Sequence, residues 1–457
     1  MNPAIAAGHP ATAEAGAAVL EAGGSAADAA CAAVMAACVA ETVMTGLLGG
    51  GHAVYWDEAS GEAWNLDCFC SVPAGEGGDL VELAVPFGEE LVHYAVGPAS
   101  FAVPGIPAGL GALHERFGRL PWAELCKPAM TLARIGVDMP AAHAACLAML
   151  APVMTLDGGE RIYAPEGKLL GEGDRLRQPG LEKVFALLAR EGASSVYSGS
   201  LAETVLSFMQ RRGGGRVTRE DLAGYEAQWD EPVEVEYAGT RVLTRGGLSG
   251  LPELLVRLPA LRGLDETERV LLLLPLLEAR GAETHTTNVT VVDGDGNACA
   301  FTTSLGLGSG DFLPGLDLHL NSMLGEVDLL VGELAPGTRM ASMMAPMLAI
   351  DADGLALAAG AAGGTRLRTA LALVLAGVLD EGLDPQAAVD RPRFHPAGGL
   401  VNAEPGVDED ALAQLEASGR AVRRWPERHH YFGGVSAVAR GGAAADPRRS
   451  GAVQEPR

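Results

Sequence analysis

Several hydroxyl residues stand at the two ends of a short segment whose pattern predicts a β-hairpin. Residues 286–304 consist of two arms rich in β-branched residues around Asp-Gly-Asp-Gly-Asn, which is the composition that a tight hairpin turn needs. Thr286 opens the first arm, and Thr302, Thr303 and Ser304 close the second. A threonine at the head of a strand suits an enzyme whose nucleophile is that hydroxyl, although strand propensity alone would also explain these threonines.

Four other segments carry glycine-rich or arginine-rich motifs in a fixed order along the chain. They are residues 8–51, residues 103–122, Gly363-Gly364-Thr365-Arg366 with residues 391–395, and Asp446-Pro447-Arg448-Arg449. Together with the hairpin, these segments resemble the γ-glutamyltranspeptidases, a family of N-terminal-nucleophile hydrolases, over nearly the whole chain. The resemblance implies an α+β fold, the four-layer αββα sandwich of that type.

The resemblance also implies that the chain cuts itself between His285 and Thr286. A threonine hydroxyl is weakly acidic and needs a neighbouring base. The cut frees the α-amine of Thr286, which titrates near about 7.7 and can take the hydroxyl proton. The expected products are a large segment, residues 1–285, and a small segment, residues 286–457, which remain packed as one intertwined domain.

Four residues are expected to carry the catalysis by this resemblance. Thr287 is a rival nucleophile, but counting back from residues 291–293 puts the family's nucleophile on Thr286. Ser304 takes the place of a family threonine that assists processing and catalysis. Gly363 and Gly364 match the pair whose backbone N–H groups form the oxyanion hole, where glycine lets the donors come close to the intermediate.

The expected substrate site departs from the family pattern at several positions. Phe69 stands where the family has an arginine that clamps the α-carboxylate of the γ-glutamyl group, and phenylalanine cannot make that bidentate contact. Gly306 stands at or near a family asparagine, and Ser342 and Met343 take the place of a serine pair. Asn321 remains as in the family.

The departures leave three functions open. The chain is a γ-glutamyltranspeptidase-like enzyme for a small γ-glutamyl or related N-acyl amide, an acylase of the cephalosporin-acylase type for a non-glutamyl group, or a non-catalytic binding protein on the same scaffold. Arg366 is the nearest basic residue in sequence that could replace the missing arginine. A nucleotide site at the glycine-rich residues 305–310 is disfavoured, because no P-loop lysine follows.

Composition predicts a large protein with a core rich in small side chains. The net charge of −25 argues against nucleic acid or an anionic membrane surface as partner. No segment reaches about 18 uninterrupted apolar residues, and the amino terminus lacks a signal-peptide pattern, which predicts the cytoplasm or a trimmed chain. The seven cysteines are expected to be reduced, with no metal or cofactor bound. The sequence leaves the oligomeric state open.

Periodicity predicts the order of the elements. Residues 11–43 form one or two helices broken at Gly23-Gly24, and residues 107–155 are helical with breaks at Pro121 and Pro140. Further helices are expected at 182–191, 201–211 and 367–381. Strands are expected at 52–56, 62–66 and 233–243, whereas residues 244–285 are the least regular region.

Overall fold

The structure is a computed structural model, and it describes residues 1–87, 90–278 and 286–456. His285, on one side of the expected cut, lies outside the described residues. The strands are β1 Ala4–Ala7, β2 Gly50–Asp57, β3 Glu62–Cys68, β4 Val81–Phe87, β5 Glu90–Val96, β6 Val137–Asp138, β7 Arg175–Leu176, β8 Gln228–Asp230, β9 Val233–Tyr237, β10 Thr240–Thr244, β11 Thr287–Val292, β12 Ala298–Ser304, β13 Phe312–Leu313, β14 Leu318–His319, β15 Met347–Asp351, β16 Gly354–Ala362, β17 Phe394–Ala397, β18 Leu400–Ala403, β19 Ala421–Arg424, β20 Gly434–Ala439, β21 Gly442–Ala445 and β22 Ala452–Gln454.

Helices separate these strands along the chain. The helices are α1 Pro10–Glu21, α2 Ala26–Ala40, α3 Ile106–Phe117, α4 Trp122–Ile135, α5 Ala141–Met154, α6 Glu160–Tyr163, α7 Pro179–Glu191, α8 Ser200–Arg212, α9 Arg219–Ala223, α10 Leu251–Arg257, α11 Glu266–Leu277, α12 Arg366–Leu379, α13 Pro385–Asp390 and α14 Glu409–Ala417.

Two antiparallel sheets form the centre of the molecule. The larger has the order β22-β1-β11-β12-β2-β3-β8, and the smaller has the order β21-β20-β16-β15-β10-β9. The predicted hairpin is β11 and β12, paired from Thr287 opposite Thr303 to Val292 opposite Ala298. Strands β1 and β2 flank this hairpin in the larger sheet.

Three apolar cores hold together four layers of helices and sheets. One core packs α1, α2, α3, α4 and α7 against the larger sheet, and another packs α10, α11, α12 and α14 against the smaller sheet. Between the sheets lies a third core, to which the larger sheet contributes Val54 and Val292 and the smaller sheet contributes Leu348 and Val438. Helices therefore cover the outer faces of two stacked sheets, which is the predicted layer order.

The start of α2 and the turn of the hairpin hold each other in place. Ser25 caps α2 in a reciprocal arrangement with Asp28, which satisfies backbone donors that a helix start leaves open. Asp293, in the hairpin turn, accepts hydrogen bonds from the backbone N–H groups of Ala26 at 2.9 Å and Asn297 at 3.0 Å. This contact fixes the orientation of the hairpin against the helix layer.

Most of the predicted elements are present, but two regions differ. Residues 233–243 were expected to form one strand, and they form the hairpin of β9 and β10 because Ala238 and Gly239 both adopt positive φ angles. The region 244–285 contains two helices, α10 and α11, of which α11 begins with a capping box from Asp265. Local apolar periodicity had suggested little regular structure there.

All seven cysteines are buried and free. Within the described residues, no group of three or more His, Cys, Asp or Glu side chains could hold a metal ion. No helix in this part of the chain is long and apolar enough to span a membrane.

Candidate active site

Thr286 lies immediately before β11, where the hairpin delivers it to a small buried cavity. Ser304, at the other end of the hairpin, lines the same cavity of about 10 Å³. The adjacent pair Thr287 and Thr303 shows how register brings the two ends together. Gly364 reaches the cavity from the turn after β16. The structure therefore brings three of the four predicted catalytic residues to one place.

The remaining wall of this acyl pocket, as we call the cavity, is mostly apolar. Phe69, Ser342 and Met343, all predicted at the substrate site, line it together with residues that sequence reasoning did not name. These further residues are Met323, Glu326, Leu329, Met344 and Leu367. Several methionines give this wall side chains that can change shape easily.

Phe69 is held in this wall by both its ring and its backbone. The ring stacks on His52 with centroids 5.4 Å apart. The Phe69 carbonyl accepts hydrogen bonds from the Tyr225 hydroxyl at 2.6 Å and from Arg339 Nη1 at 3.2 Å. The guanidinium of Arg339 thus binds the backbone of residue 69, and the face of the pocket at this position is an aromatic ring.

Glu326 is the one acidic residue in the lining of the acyl pocket. It is buried, and neither carboxyl oxygen makes a hydrogen bond of normal geometry among the described residues, although the backbone N–H of Leu307 lies close enough to lower its pKa slightly. Burial raises the pKa of the Glu326 carboxyl to about 8, helped by the negative charge of Asp328. The neutral acid therefore predominates at pH 7, and it offers an O–H donor as well as an acceptor to a bound group.

Gly306 and Asn321, the other two predicted substrate residues, lie behind the pocket. A Cβ at Gly306 would clash with Glu326 Oε1 and stand 2.7 Å from Ser322 Oγ, so the absence of a side chain makes room for the Glu326 carboxyl. Asn321 Nδ2 donates to the carbonyls of Leu48 at 2.7 Å and Ala102 at 2.9 Å. The amide of Asn321 holds neighbouring backbone in place.

The glycine turn that precedes α12 has backbone angles that favour glycine. Gly363 and Gly364 have φ angles of 125° and 56°, which side chains rarely allow. A Cβ at Gly363 would stand 2.8 Å from the Cα of Gly433. Gly364 faces the pocket next to Thr286, and Gly363 lies against the neighbouring loop. Their place at the start of a 14-residue helix adds the positive end of its dipole.

Thr287, the rival candidate next to Thr286, does not line the acyl pocket. Its hydroxyl donates to Glu41 Oε2 at 2.5 Å, and both residues line a second cavity, of about 20 Å³, that Thr286 also borders. Glu41 is the other acid that sequence reasoning missed. It stands in the residues 8–51 motif, but its partner Thr287 lies 246 positions away.

Arg366 does not replace the missing arginine at residue 69. Its Nε donates to the carbonyl of Tyr431 at 2.9 Å, and its guanidinium lies 4.8 Å from the centre of the Tyr431 ring. Arg366 is not among the residues that line the acyl pocket.

The glycine-rich loop at 305–310 packs on His319, whose Nε2 accepts a hydrogen bond from the Gly310 N–H at 3.0 Å.

Comparison with known proteins gives concordant matches along the whole chain. The sequence profile of the family described as Gamma-glutamyltranspeptidase matches residues 12–271 and 274–455. Acylase ACY 1 proenzyme from Pseudomonas sp. (strain SE83) is 28% identical over 468 residues, covering 88% of this chain and 83% of that protein. Glutathione hydrolase proenzyme from Bacillus subtilis (strain 168) is 26% identical over 505 residues, covering 89% and 85%.

Among solved structures, cephalosporin acylase from Bacillus halodurans superposes with a TM-score of 0.83 at 24% sequence identity. The superposition covers 99% of this chain and 95% of that chain. Together with the layer order, this likeness confirms the predicted four-layer αββα sandwich of the N-terminal-nucleophile type.

Proposed function

Because the chain belongs to the gamma-glutamyltranspeptidase family, we propose that it is a self-processing amidohydrolase whose nucleophile is Thr286 and whose preferred acyl group is less charged than γ-glutamyl. The observation that carries the proposal is a single cavity shared by Thr286, Ser304, Gly364 and an apolar wall that includes Phe69. A binding protein without catalysis would have no need for a nucleophile, a second hydroxyl and a glycine turn around one pocket.

Processing is the first reaction expected of Thr286. Its hydroxyl oxygen attacks the carbonyl carbon of His285, the peptide becomes an ester, and water then releases residues 1–285 from residues 286–457. The two segments stay together because β11 pairs with β1 on one side, and β12 pairs with β2 on the other. Cutting the chain before β11 breaks none of these pairings.

Turnover repeats the same chemistry on an external amide. The free α-amine of Thr286 takes the hydroxyl proton while Oγ bonds to the substrate carbonyl carbon. Backbone N–H groups of the Gly363-Gly364 turn stabilise the oxyanion. The proton passes to the leaving amine, and an acyl ester remains on Thr286. Water, or an acceptor amine, then attacks this ester and restores the hydroxyl.

The acyl pocket supports a group with little charge. Phe69 presents a ring where a carboxylate would need a cation, and burying that carboxylate without a partner is costly. Glu326 offers one neutral hydrogen-bonding group at pH 7. Since the cavity measures about 10 Å³, the methionines of the wall must move to admit an acyl chain. Their flexible side chains make that movement easy.

The named relatives correspond to the two enzymatic alternatives. One is an acylase and another is a glutathione hydrolase, at 28% and 26% identity. Phe69 and Met343 in the wall favour the acylase alternative, because neither side chain can pair with a charged glutamyl head group.

The first prediction concerns processing. Purified protein is expected to yield two pieces whose masses correspond to cleavage between His285 and Thr286, and Thr286→Ala is expected to remain uncut because it lacks the attacking oxygen. Intact mass spectrometry and amino-terminal sequencing check both results. A wild-type chain that stays in one piece after long incubation at pH 7–8 would defeat this mechanism and favour a binding protein.

The second prediction concerns the acyl group. The processed enzyme is expected to hydrolyse pentanoyl anilide, whose acyl chain carries no carboxylate, with a higher kcat/KM than γ-glutamyl anilide. The missing arginine removes a charge-assisted hydrogen bond worth about 1.5–3 kcal/mol, or roughly 10- to 150-fold in affinity. A strong preference for γ-glutamyl anilide would overturn the proposed specificity and leave the family's γ-glutamyl activity in its place.

A matched pair of methionine variants tests whether this cavity selects the acyl group. Met343→Ala enlarges the acyl pocket and is expected to raise kcat/KM for long acyl chains relative to short ones. Met340 lies in the same apolar cluster but outside the lining, so Met340→Ala is expected to leave that ratio unchanged. Equal ratios in both variants would place the specificity elsewhere.

A further inference from the structure

A second small cavity, which we call the rear chamber, also borders Thr286 and shares no other lining residue with the acyl pocket. Thr286, Thr287, Glu41, His143 and Arg449 are among the residues that line it. Its volume of about 20 Å³ is enough for one water molecule. Because Thr286 borders both cavities, a group in the rear chamber can act on the nucleophile without occupying the space of the substrate.

Glu41 is one of the two acids that line the rear chamber, and two hydroxyls fix its carboxyl. Thr12 Oγ1 donates to Oε1 at 2.7 Å, and Thr287 Oγ1 donates to Oε2 at 2.5 Å. The side chain comes from the residue that ends α2, and it is almost fully buried. Gly8 leaves the room for this network, since a Cβ there would clash with Glu41 Oε2.

His143 supplies an unfilled hydrogen-bonding position in the same chamber. It is buried, and its Nδ1 makes no hydrogen bond of normal geometry among the described residues, although the backbone of Gly8 and of Arg449 lies close enough to the ring to oppose the fall in its pKa. Burial lowers the pKa of His143 to about 3, so the ring is neutral near pH 7. A buried nitrogen without a hydrogen bond of normal geometry, next to room for one molecule of water, is the setting in which ordered water is found.

The charged groups around Glu41 set the pH at which its carboxyl ionises. Burial raises the pKa of Glu41 to about 7, while the hydrogen bonds from Thr287 and Thr12 and the positive charge of Arg449 oppose the rise. Asp446 lines the chamber too, but its carboxylate is paired with Arg393 at 2.5 Å. On the same helix, Cys38 stays a neutral thiol, since burial raises its pKa far above neutrality.

We propose that the Glu41 carboxylate, held by Thr12 and Thr287, accepts the proton of the residue 286 hydroxyl through one water in the rear chamber during self-cleavage. The uncut chain needs such an acceptor, because the nitrogen of Thr286 is then an amide and cannot serve as base. This inference rests on the proposed processing at Thr286 and assigns a residue to its proton transfer.

Glu41 returns the proton that it accepts before the cleavage is complete. As Thr286 Oγ bonds to the carbonyl carbon of residue 285, its proton moves to the chamber water, and that water gives a proton to Glu41. When the carbon–nitrogen bond of the peptide breaks, Glu41 returns the proton through the water to the departing nitrogen. The nitrogen leaves as the free amine of Thr286, and hydrolysis of the ester completes the cut.

The experiment follows the rate of cleavage between pH 5 and 9 by mass spectrometry, starting from freshly purified uncut chain. Because the carboxylate is the active form, the wild-type rate is expected to rise through a midpoint near the pKa of Glu41, about 7. Glu41→Gln keeps the shape of the side chain but cannot accept a proton. It is expected to cut about 10²- to 10⁴-fold more slowly, without that midpoint.

A second pair of variants separates proton transfer from structural support. Thr12→Val removes a hydrogen bond that lowers the pKa of Glu41, so the midpoint is expected to move to higher pH. Thr244→Val loses one hydroxyl hydrogen bond of similar length, to the carbonyl of Pro346, in the smaller sheet. Thr244→Val is expected to keep the wild-type midpoint, and this pair carries the test if Glu41→Gln does not fold.

The outcomes are distinct. A folded Glu41→Gln chain that cuts at the wild-type rate with the wild-type pH profile would overturn the role of Glu41 alone, and Thr286→Ala would still be inert. An unmoved midpoint in Thr12→Val would also overturn it. A wild-type chain that never cuts would overturn both this inference and the proposed function.

Discussion

At the residue scale, the acyl pocket depends on a position whose backbone conformation favours glycine. Gly364 adopts a φ of 56° and lines the same pocket as Thr286, the proposed nucleophile. An oxyanion donor must be in position before the reaction, since its value lies in needing no rearrangement when charge develops. The backbone of this turn is therefore expected to matter more for turnover than for stability.

A matched pair of glycine variants tests this expectation. Gly364→Ala and Gly398→Ala each put a Cβ on a left-handed residue, at φ 56° and 58°, so each is expected to lose about 1 kcal/mol of stability. Gly398 has no atom within 4 Å of that Cβ and lies outside the pocket. Only Gly364→Ala is expected to lose about 10²-fold in kcat. Equal kcat values for both variants would make the turn at Gly364 merely structural.

At the element scale, the hairpin of β11 and β12 is positioned by its turn as well as by its sheet neighbours. Asp293 accepts four hydrogen bonds, three within the turn and one from the first N–H of α2. Since the turn lies at the far end of the hairpin from Thr286, its hydrogen bond to α2 anchors the strand that follows Thr286.

The stability of that anchor can be measured on uncut protein in the Thr286→Ala background. Asp293→Ala leaves several buried N–H groups without an acceptor. The variant is therefore expected to lower the free energy of unfolding by about 2–4 kcal/mol in chemical denaturation. Asp295, in the same turn, is exposed and pairs with the exposed Arg119 at 2.6 Å. Asp295→Ala is expected to change stability by less than about 1 kcal/mol. Similar losses in both variants would contradict the anchoring role.

At the scale of the whole molecule, local patterns predicted the elements better than they predicted the site. The helix breaks at Gly23-Gly24, Pro121 and Pro140 and the hairpin at 286–304 follow from neighbouring residues, and the structure confirms them. The turn at Ala238-Gly239 was missed because alanine rarely adopts a positive φ, and only Gly239 signalled it.

The two acids of the site illustrate why the rest could not be predicted from periodicity. Glu326 shares its cavity with Phe69, Met343 and Met344, which come from other segments of the chain. Glu41 is buried where Thr12 and Thr287, 275 positions apart, both donate hydrogen bonds to its carboxyl. Burial and loss of solvation, which shift their pKa values, arise only when these segments fold together. The resemblance to a family predicted Thr286 and Gly364, which the structure brings to one cavity, because those positions belong to motifs.

If the chain is cut before Thr286 as proposed, its interleaved strands also determine how it can refold after it has been unfolded. In the larger sheet, β22, β11 and β12 come from the small segment, while β1, β2, β3 and β8 come from the large one. Before the cut, folding is a first-order reaction of one chain. After it, unfolded segments must meet in solution, so recovery becomes second order, slows on dilution and competes with aggregation of exposed strands. The mature form would then persist through slow unfolding rather than through rapid refolding.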